Sequence, residues 1–254
     1  MKIEEMSWKE IDKISRDAII FISISPLEAH GPHLPVATDL FISKKIEEAV
    51  MEEMKKRGIE FFSLPSLPLG VCRYAENFPG TINIHWKNLY KILLDIFLSF
   101  SKHNFRYFLI FNFHMDVFHI KAIHKAIKKA RKMGIIACEP ISTAYFSGKL
   151  FEENEYEIHA DKKETSLALY LFPELVKDYK IEDIKIKMHF LDFFKTFEEI
   201  GAKNAYIGSP SLASKEYGEN LFKKIVDLCI NSALLLKQGK SADLPKKLKI
   251  LLRI

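Results

Sequence analysis

Two tripeptides carry an unusual arrangement of reactive side chains, Glu28-Ala29-His30 and His114-Met115-Asp116. In extended backbone, positions i and i+2 point to the same side, so each tripeptide presents a carboxylate and an imidazole in one direction. Asp39 adds a further acid shortly after the first pair. Such a set can hold two divalent cations, with one carboxylate bridging them and a position left open for water. Nitrogen and oxygen donors with no nearby thiolate suit Zn or Mn, with Fe a further candidate, and speak against iron–sulfur or copper(I) chemistry. A separate cluster, His159-Ala160-Asp161-Lys162-Lys163-Glu164-Thr165-Ser166, stands at the start of a helical pattern.

Each of these residues also has a plainer role. Asp39 sits just before a helical stretch and, taken alone, reads as its N-cap. His114 and Asp116 fit an ordinary loop, and Glu164 fits a first-turn acid that complements the helix dipole. Glu28 is harder to place this way, because a carboxylate between Pro26 and an apolar strand must be solvated or paired. His33, His119 and His124 are read as non-ligands, the last two on a helix.

The elements that must position these residues alternate between short β-branched or aromatic runs and longer helical patterns. Strands are expected at Ala18–Ile24, Ile59–Leu64, Arg106–Phe111 and Ile135–Cys138. Helices are expected at Leu40–Arg57, Trp86–His103, Val117–Met133, Lys163–Tyr179 with a break at Pro173, and Lys215–Lys237. Ile184–Phe190 alternates and reads as a half-exposed strand near an edge. The loop from Pro65 to Thr81 carries turn-forming residues and is of the kind that lines a site. Lys149–Tyr156 is polar and reads as surface. The expected fold is α/β, a single domain over residues 1–254 with a mostly parallel sheet. Both tripeptides follow strands, at the carboxyl end where open parallel sheets bind ligands.

Composition bounds the rest. The 254 residues are 48% hydrophobic and 28% charged, which excludes disorder and disulfide-dense mini-scaffolds. The net charge of +5 is mild and interleaved with acids, unlike the basic stripe of a nucleic-acid binder. Cys72, Cys138 and Cys229 are far apart and form no motif, so they read as reduced thiols in a cytoplasmic protein. No segment approaches the roughly 18 apolar residues of a membrane span, and no signal peptide is legible. The basic-apolar tail from Lys246 to Ile254 is expected to pack on its own domain or on a partner subunit.

Together the segments resemble the creatininase family. Pro26-Leu27-Glu28-Ala29-His30-Gly31-Pro32-His33-Leu34-Pro35 with Thr38-Asp39 is close to its Glu-x-His-Gly-x-His-Leu-Pro and Thr-Asp signature. Phe78-Pro79-Gly80-Thr81, Asn112-Phe113-His114, and His159-Ala160 through Glu164-Thr165-Ser166 match further family segments in order. The resemblance implies a three-layer α/β/α sandwich and a binuclear metal site that hydrolyses non-peptide amide or related C–N bonds, commonly in a homo-oligomer. Carried over, Glu28 and His114 hold one metal, His30 the other, and Asp39 bridges. Asp116 or Glu164 completes the second site. The chain departs from the pattern at Phe113, Met115, Asp161 and Ala75. Phe113 and Met115 are expected to narrow the pocket or displace the loop, which puts the substrate in question more than the metals.

The expected activity is amidohydrolysis of a small cyclic or formyl amide by a hydroxide that two cations generate from water. His159 is the candidate proton shuttle to the leaving nitrogen, with Glu164 orienting it or completing the metal shell. The competing reading is a non-catalytic metal- or ligand-binding member of the same fold. A nucleotide-binding domain is poorly supported, since no Gly-x-Gly-x-x-Gly or Walker loop follows any expected strand.

Overall fold

The computed structural model of the chain describes all residues except 152–155, 190, 191 and 193. Four strands, β1 (Ile19–Ser23), β2 (Phe61–Ser63), β3 (Tyr107–Phe111) and β4 (Ile136–Cys138), form one parallel sheet in the order β2-β1-β3-β4. Ile19 lies opposite Phe61 on one side and Tyr107 on the other, so β1 and β3 are the central pair. Their runs of apolar residues reflect burial on both faces, since all five residues of β1 are buried.

The two faces have separate cores. Ile19, Phe21, Leu109 and Phe111 point to one side and pack on α2 (Thr38–Lys56), α6 (Lys162–Leu171) and α7 (Lys215–Lys237). Ile20, Ile22, Phe108 and Ile110 point to the other and pack on α3 (Trp86–Ser101) and α4 (Val117–Arg131). This period-two split produces the α/β/α layering. Each fully buried side chain of this size contributes about 1.5–3 kcal/mol relative to exposure. Helices α6 and α7 approach so closely that a Cβ on Gly218 would lie 1.9 Å from the carbonyl oxygen of Ser166. Only glycine fits there.

Short helices α1 (Trp8–Ile11), α5 (Pro140–Tyr145) and α8 (Lys246–Leu252) complete the described secondary structure together with several 3₁₀ turns. Helix α8 lays Leu252 against Ile120 of α4, so the basic-apolar tail packs on its own domain. The expected helix to Tyr179 ends at Leu171, two residues before Pro173, and a 3₁₀ turn follows. Ile184–Phe190 does not form a strand in its described part, which makes one bridge, Ile184 with Gly208. Its alternation arises because Ile186 and Met188 pack beside Phe197 and Ala202. Phe190 lies outside the described residues, as does half of the polar stretch Lys149–Tyr156. The three cysteines are buried and free. Among the described residues no helix is long and apolar enough to cross a membrane.

Candidate metal centre

The carboxyl ends of β1 and β3 lead directly into the two tripeptides, and the site forms where these loops meet. The Glu28–His30 segment is pinned by its backbone. The Glu28 amide donates to Val36 O (2.8 Å), the Ala29 amide to Thr81 Oγ1 (3.0 Å), and the Ile82 amide to Leu27 O (2.9 Å). Gly31 then turns with φ +65, where a side chain would strike His33. On the other loop, Asn112 accepts from the His114 amide (3.1 Å) and donates to His114 O (2.9 Å), folding the backbone tightly around the imidazole.

These constraints bring Glu28, His30, Asp39, His114, His159 and Glu164 together. Asp39 is not an N-cap, since Ala37 holds that position in α2. Its Oδ2 lies 3.0 Å from Nδ1 of His114, and its Oδ1 lies 3.3 Å from Nε2 of His30. Glu28 Oε2 lies 3.0 Å from the same His114 nitrogen, and Glu164 Oε2 lies 3.6 Å from the His30 nitrogen. Three sets of donor atoms each fall within 4.8 Å of one another: Glu28, Asp39 and His114; His30, Asp39 and Glu164; Glu28, His30 and His159.

The protons of the imidazoles decide what the arrangement can do. Each ring gives one nitrogen to a backbone carbonyl: His114 Nε2 to Val71 O (2.7 Å), His30 Nδ1 to Glu28 O (2.9 Å) and His159 Nε2 to Ala29 O (2.8 Å). A carbonyl only accepts, so these nitrogens carry the protons and the other nitrogen of each neutral ring is a bare lone pair. On His114 and His30 those lone pairs face carboxylate oxygens, and Glu28 Oε2 is buried without a hydrogen bond although it touches His114. Lone pairs converging in a buried place are satisfied by a bound proton or by a metal ion.

The electrostatics agree. Burial works against charging His30, yet Asp39, Glu164 and Glu28 raise its pKa well above the usual imidazole value. Glu28 is held below the ordinary carboxylate range because His114, His159 and His30 outweigh its burial. Burial pushes Glu164 up to about 8, helped by Asp39 and Asp161 and opposed by His30. The carboxylates thus draw positive charge into the site, and divalent ions fit that demand.

Asp116 takes a different position. Its Oδ1 caps α4, accepting from the amides of Phe118 (2.7 Å) and His119 (3.1 Å), and it joins none of the three donor sets among the described residues. His33 accepts or donates at Thr165 Oγ1 (3.0 Å), His119 accepts from the Val71 amide (3.2 Å), and His124 contacts Ser142 Oγ (3.1 Å), all outside the cluster. Phe113 turns into the core and Ala75 is buried beside Ala29, while Met115 reaches the site.

A cavity of about 310 Å³ opens beside Glu28, His114, His159 and Glu164, walled by Tyr74, Met115, Tyr145, Phe146, Met188 and Phe197. The Val71 carbonyl and the Tyr74 wall come from the loop between Pro65 and Thr81, whose turn-rich composition was the one signal for them. Phe197, whose ring stacks on His159 at 4.7 Å, carried no sequence signal.

The sequence profile of creatininase, described as creatinine amidohydrolase, matches residues 4–232. A creatinine amidohydrolase from Pseudomonas putida is 24% identical over 249 residues, covering 90% of this chain and 92% of that protein. A mycofactocin precursor peptide peptidase from Mycolicibacterium smegmatis is 24% identical, covering 83% of this chain and 82% of that one. A solved creatinine amidohydrolase superposes with a TM-score of 0.71 at 21% identity, covering 91% of this chain and 95% of that chain. A Mn creatininase has the same TM-score of 0.71 at 20% identity, covering 91% and 96%. With a profile match over nearly its whole length, the chain belongs to the creatininase family.

Proposed function

We propose that this protein is a metal-dependent amidohydrolase with a binuclear centre, acting on a small non-peptide amide. Glu28, Asp39 and His114 hold one divalent ion, and His30, Asp39 and Glu164 hold the other, with Asp39 shared. The observation that carries this reading is the three imidazoles, each tied through one nitrogen to a main-chain carbonyl so that the other turns into the cluster, on two of them toward carboxylates. Zn or Mn suits the donor set, and related creatininases of the same fold are described as Mn and Zn-Zn types. Glu164 takes the place that Asp116 would otherwise share, because Glu164 joins a donor set and Asp116 does not.

Bound ions of this kind acidify water and polarise a carbonyl. The chain supplies the remaining functions. His159 is neutral, since burial and the neighbouring His30 lower its pKa, and its second nitrogen is free to take a proton and pass it to the leaving amine. The apolar wall of Tyr145, Phe146 and Phe197 excludes water from the amide and fixes its orientation.

A purely structural metal site would have its coordination closed by protein. Phe113 and Ala75 are instead turned into the interior, and the cavity remains beside the donors. The test is to strip the ions by chelation, reload with Zn or Mn, and screen cyclic amides and formamides. Turnover that appears only on reloading is expected; turnover unchanged by stripping would overturn the proposal.

A further inference from the structure

The cavity beside the metal centre has an acidic side that coordination does not use. Asp116 lines it and is 4% exposed. Its Oδ1 takes both capping amides of α4, and its Oδ2 is buried with no hydrogen-bond partner among the described residues. A second acid of the lining, Glu157, is engaged through Oε2 by the amides of Lys162 (2.9 Å) and Ser209 (3.3 Å). No lysine or arginine is among the described lining residues, so a substrate carboxylate or phosphate would find no side-chain cation there. Aromatic rings of Tyr74, Tyr145, Phe146 and Phe197 make up much of the wall. A buried carboxylate oxygen without a partner is costly, and one on a residue that lines a ligand cavity is relieved when a ligand brings a donor to it. Aromatic faces add attraction for a cation and none for an anion.

We infer that Asp116 is a specificity residue, accepting a hydrogen bond from a cationic nitrogen group carried on a flat apolar part of the substrate. The inference rests on the amidohydrolase reading for the bond that is broken, and supplies the class of molecule that bears it. An amidinium or ammonium group several bonds from the amide meets Oδ2 while its apolar body lies against the rings. The neutral isostere of the same shape loses the charge-assisted bond.

The test uses the Zn-loaded protein with benzamidine and benzamide, which differ in charge but hardly in shape, and measures binding by calorimetry and metal content by elemental analysis. Benzamidine is expected to bind about tenfold or more tightly than benzamide. Asp116→Asn keeps the cap, because asparagine caps as well as aspartate, and Asp116→Ser keeps a capping oxygen while removing the second one. Both variants are expected to bring the ratio to about one with two ions per chain retained. Equal binding by the wild type would overturn the inference, and so would loss of an ion in Asp116→Asn, which would make Asp116 a ligand. Failure of the hydrolase reading looks different: benzamidine selectivity persists while reloaded protein hydrolyses no amide.

Discussion

Asp39 and His114 meet at 3.0 Å through Oδ2 and Nδ1, while the opposite nitrogen of His114 is held by Val71 O at 2.7 Å. With the other oxygen of Asp39 3.3 Å from His30, one buried carboxylate links both halves of the site. Asp39→Asn keeps the shape but removes the charge that the two proposed ions would share. The expected result is a fall from two ions per chain to fewer than one by elemental analysis, and a loss of turnover of about a thousandfold or more. Two retained ions would break the bridging assignment.

Asn112 makes two hydrogen bonds to the backbone of His114, at 3.1 and 2.9 Å, accepts a longer one from Ser25 Oγ (3.4 Å), and hydrogen-bonds to no proposed ligand atom. It is therefore a positioning residue. Asn112→Ala frees the loop and leaves buried backbone groups unpaired, costing about 1–3 kcal/mol of stability. Metal affinity is expected to fall about 10- to 100-fold, as for other groups that orient ligands. At saturating metal, kcat should recover. A competition titration with a chelator separates this from a general loss of fold, because a purely structural role would leave metal affinity untouched.

Much of this was legible in the sequence where a single physical signal dominates. The strands ending at Ser23 and Phe111 are apolar on both faces, and Glu28, His30 and His114 follow them at spacings that extended backbone aligns. What was hidden depends on tertiary contacts. The carbonyls of Val71 and Ala29 fix two imidazoles, yet a main-chain carbonyl has no residue signature. The alternation of Ile184, Ile186 and Met188 has the period of a strand, but the same period serves a loop that packs one side against Phe197. Asp39 reads as a cap until His30 and His114 are seen to surround it.

Glu47 supplies a pH signature remote from the proposed metal centre. It is 3% exposed, accepts from Ser23 Oγ, and leaves Oε1 without a partner. Burial raises its pKa, against the lowering by the Ser23 and Ser63 hydroxyls. The folded chain thus holds this proton more tightly than the unfolded chain. Its contribution is fully present below the unfolded carboxylate pKa and is lost as pH rises through the raised folded value. Glu47→Gln removes that dependence. Relative to wild type, the variant is expected to gain stability as pH rises above the ordinary carboxylate range, by about 1–3 kcal/mol as gauged from the cost of an unpaired buried group. Parallel melting curves for the two proteins across this range would refute the assignment.

His159 separates proton transfer from metal binding. It donates to Ala29 O at 2.8 Å, stacks on Phe197, and its ring centre lies 4.3 Å from that of His30. It also belongs to a donor set with Glu28 and His30, so its role as proton carrier is tested against ligation. His159→Gln preserves a donor to Ala29 O but cannot cycle a proton. If His159 carries the proton, both ions stay bound and kcat falls about 10²- to 10⁴-fold, with partial recovery on adding free imidazole. If His159 is instead a ligand, metal content falls in step with activity and imidazole restores the ion before it restores the rate. Measuring both quantities on the same preparation distinguishes these outcomes, because only a proton carrier decouples them.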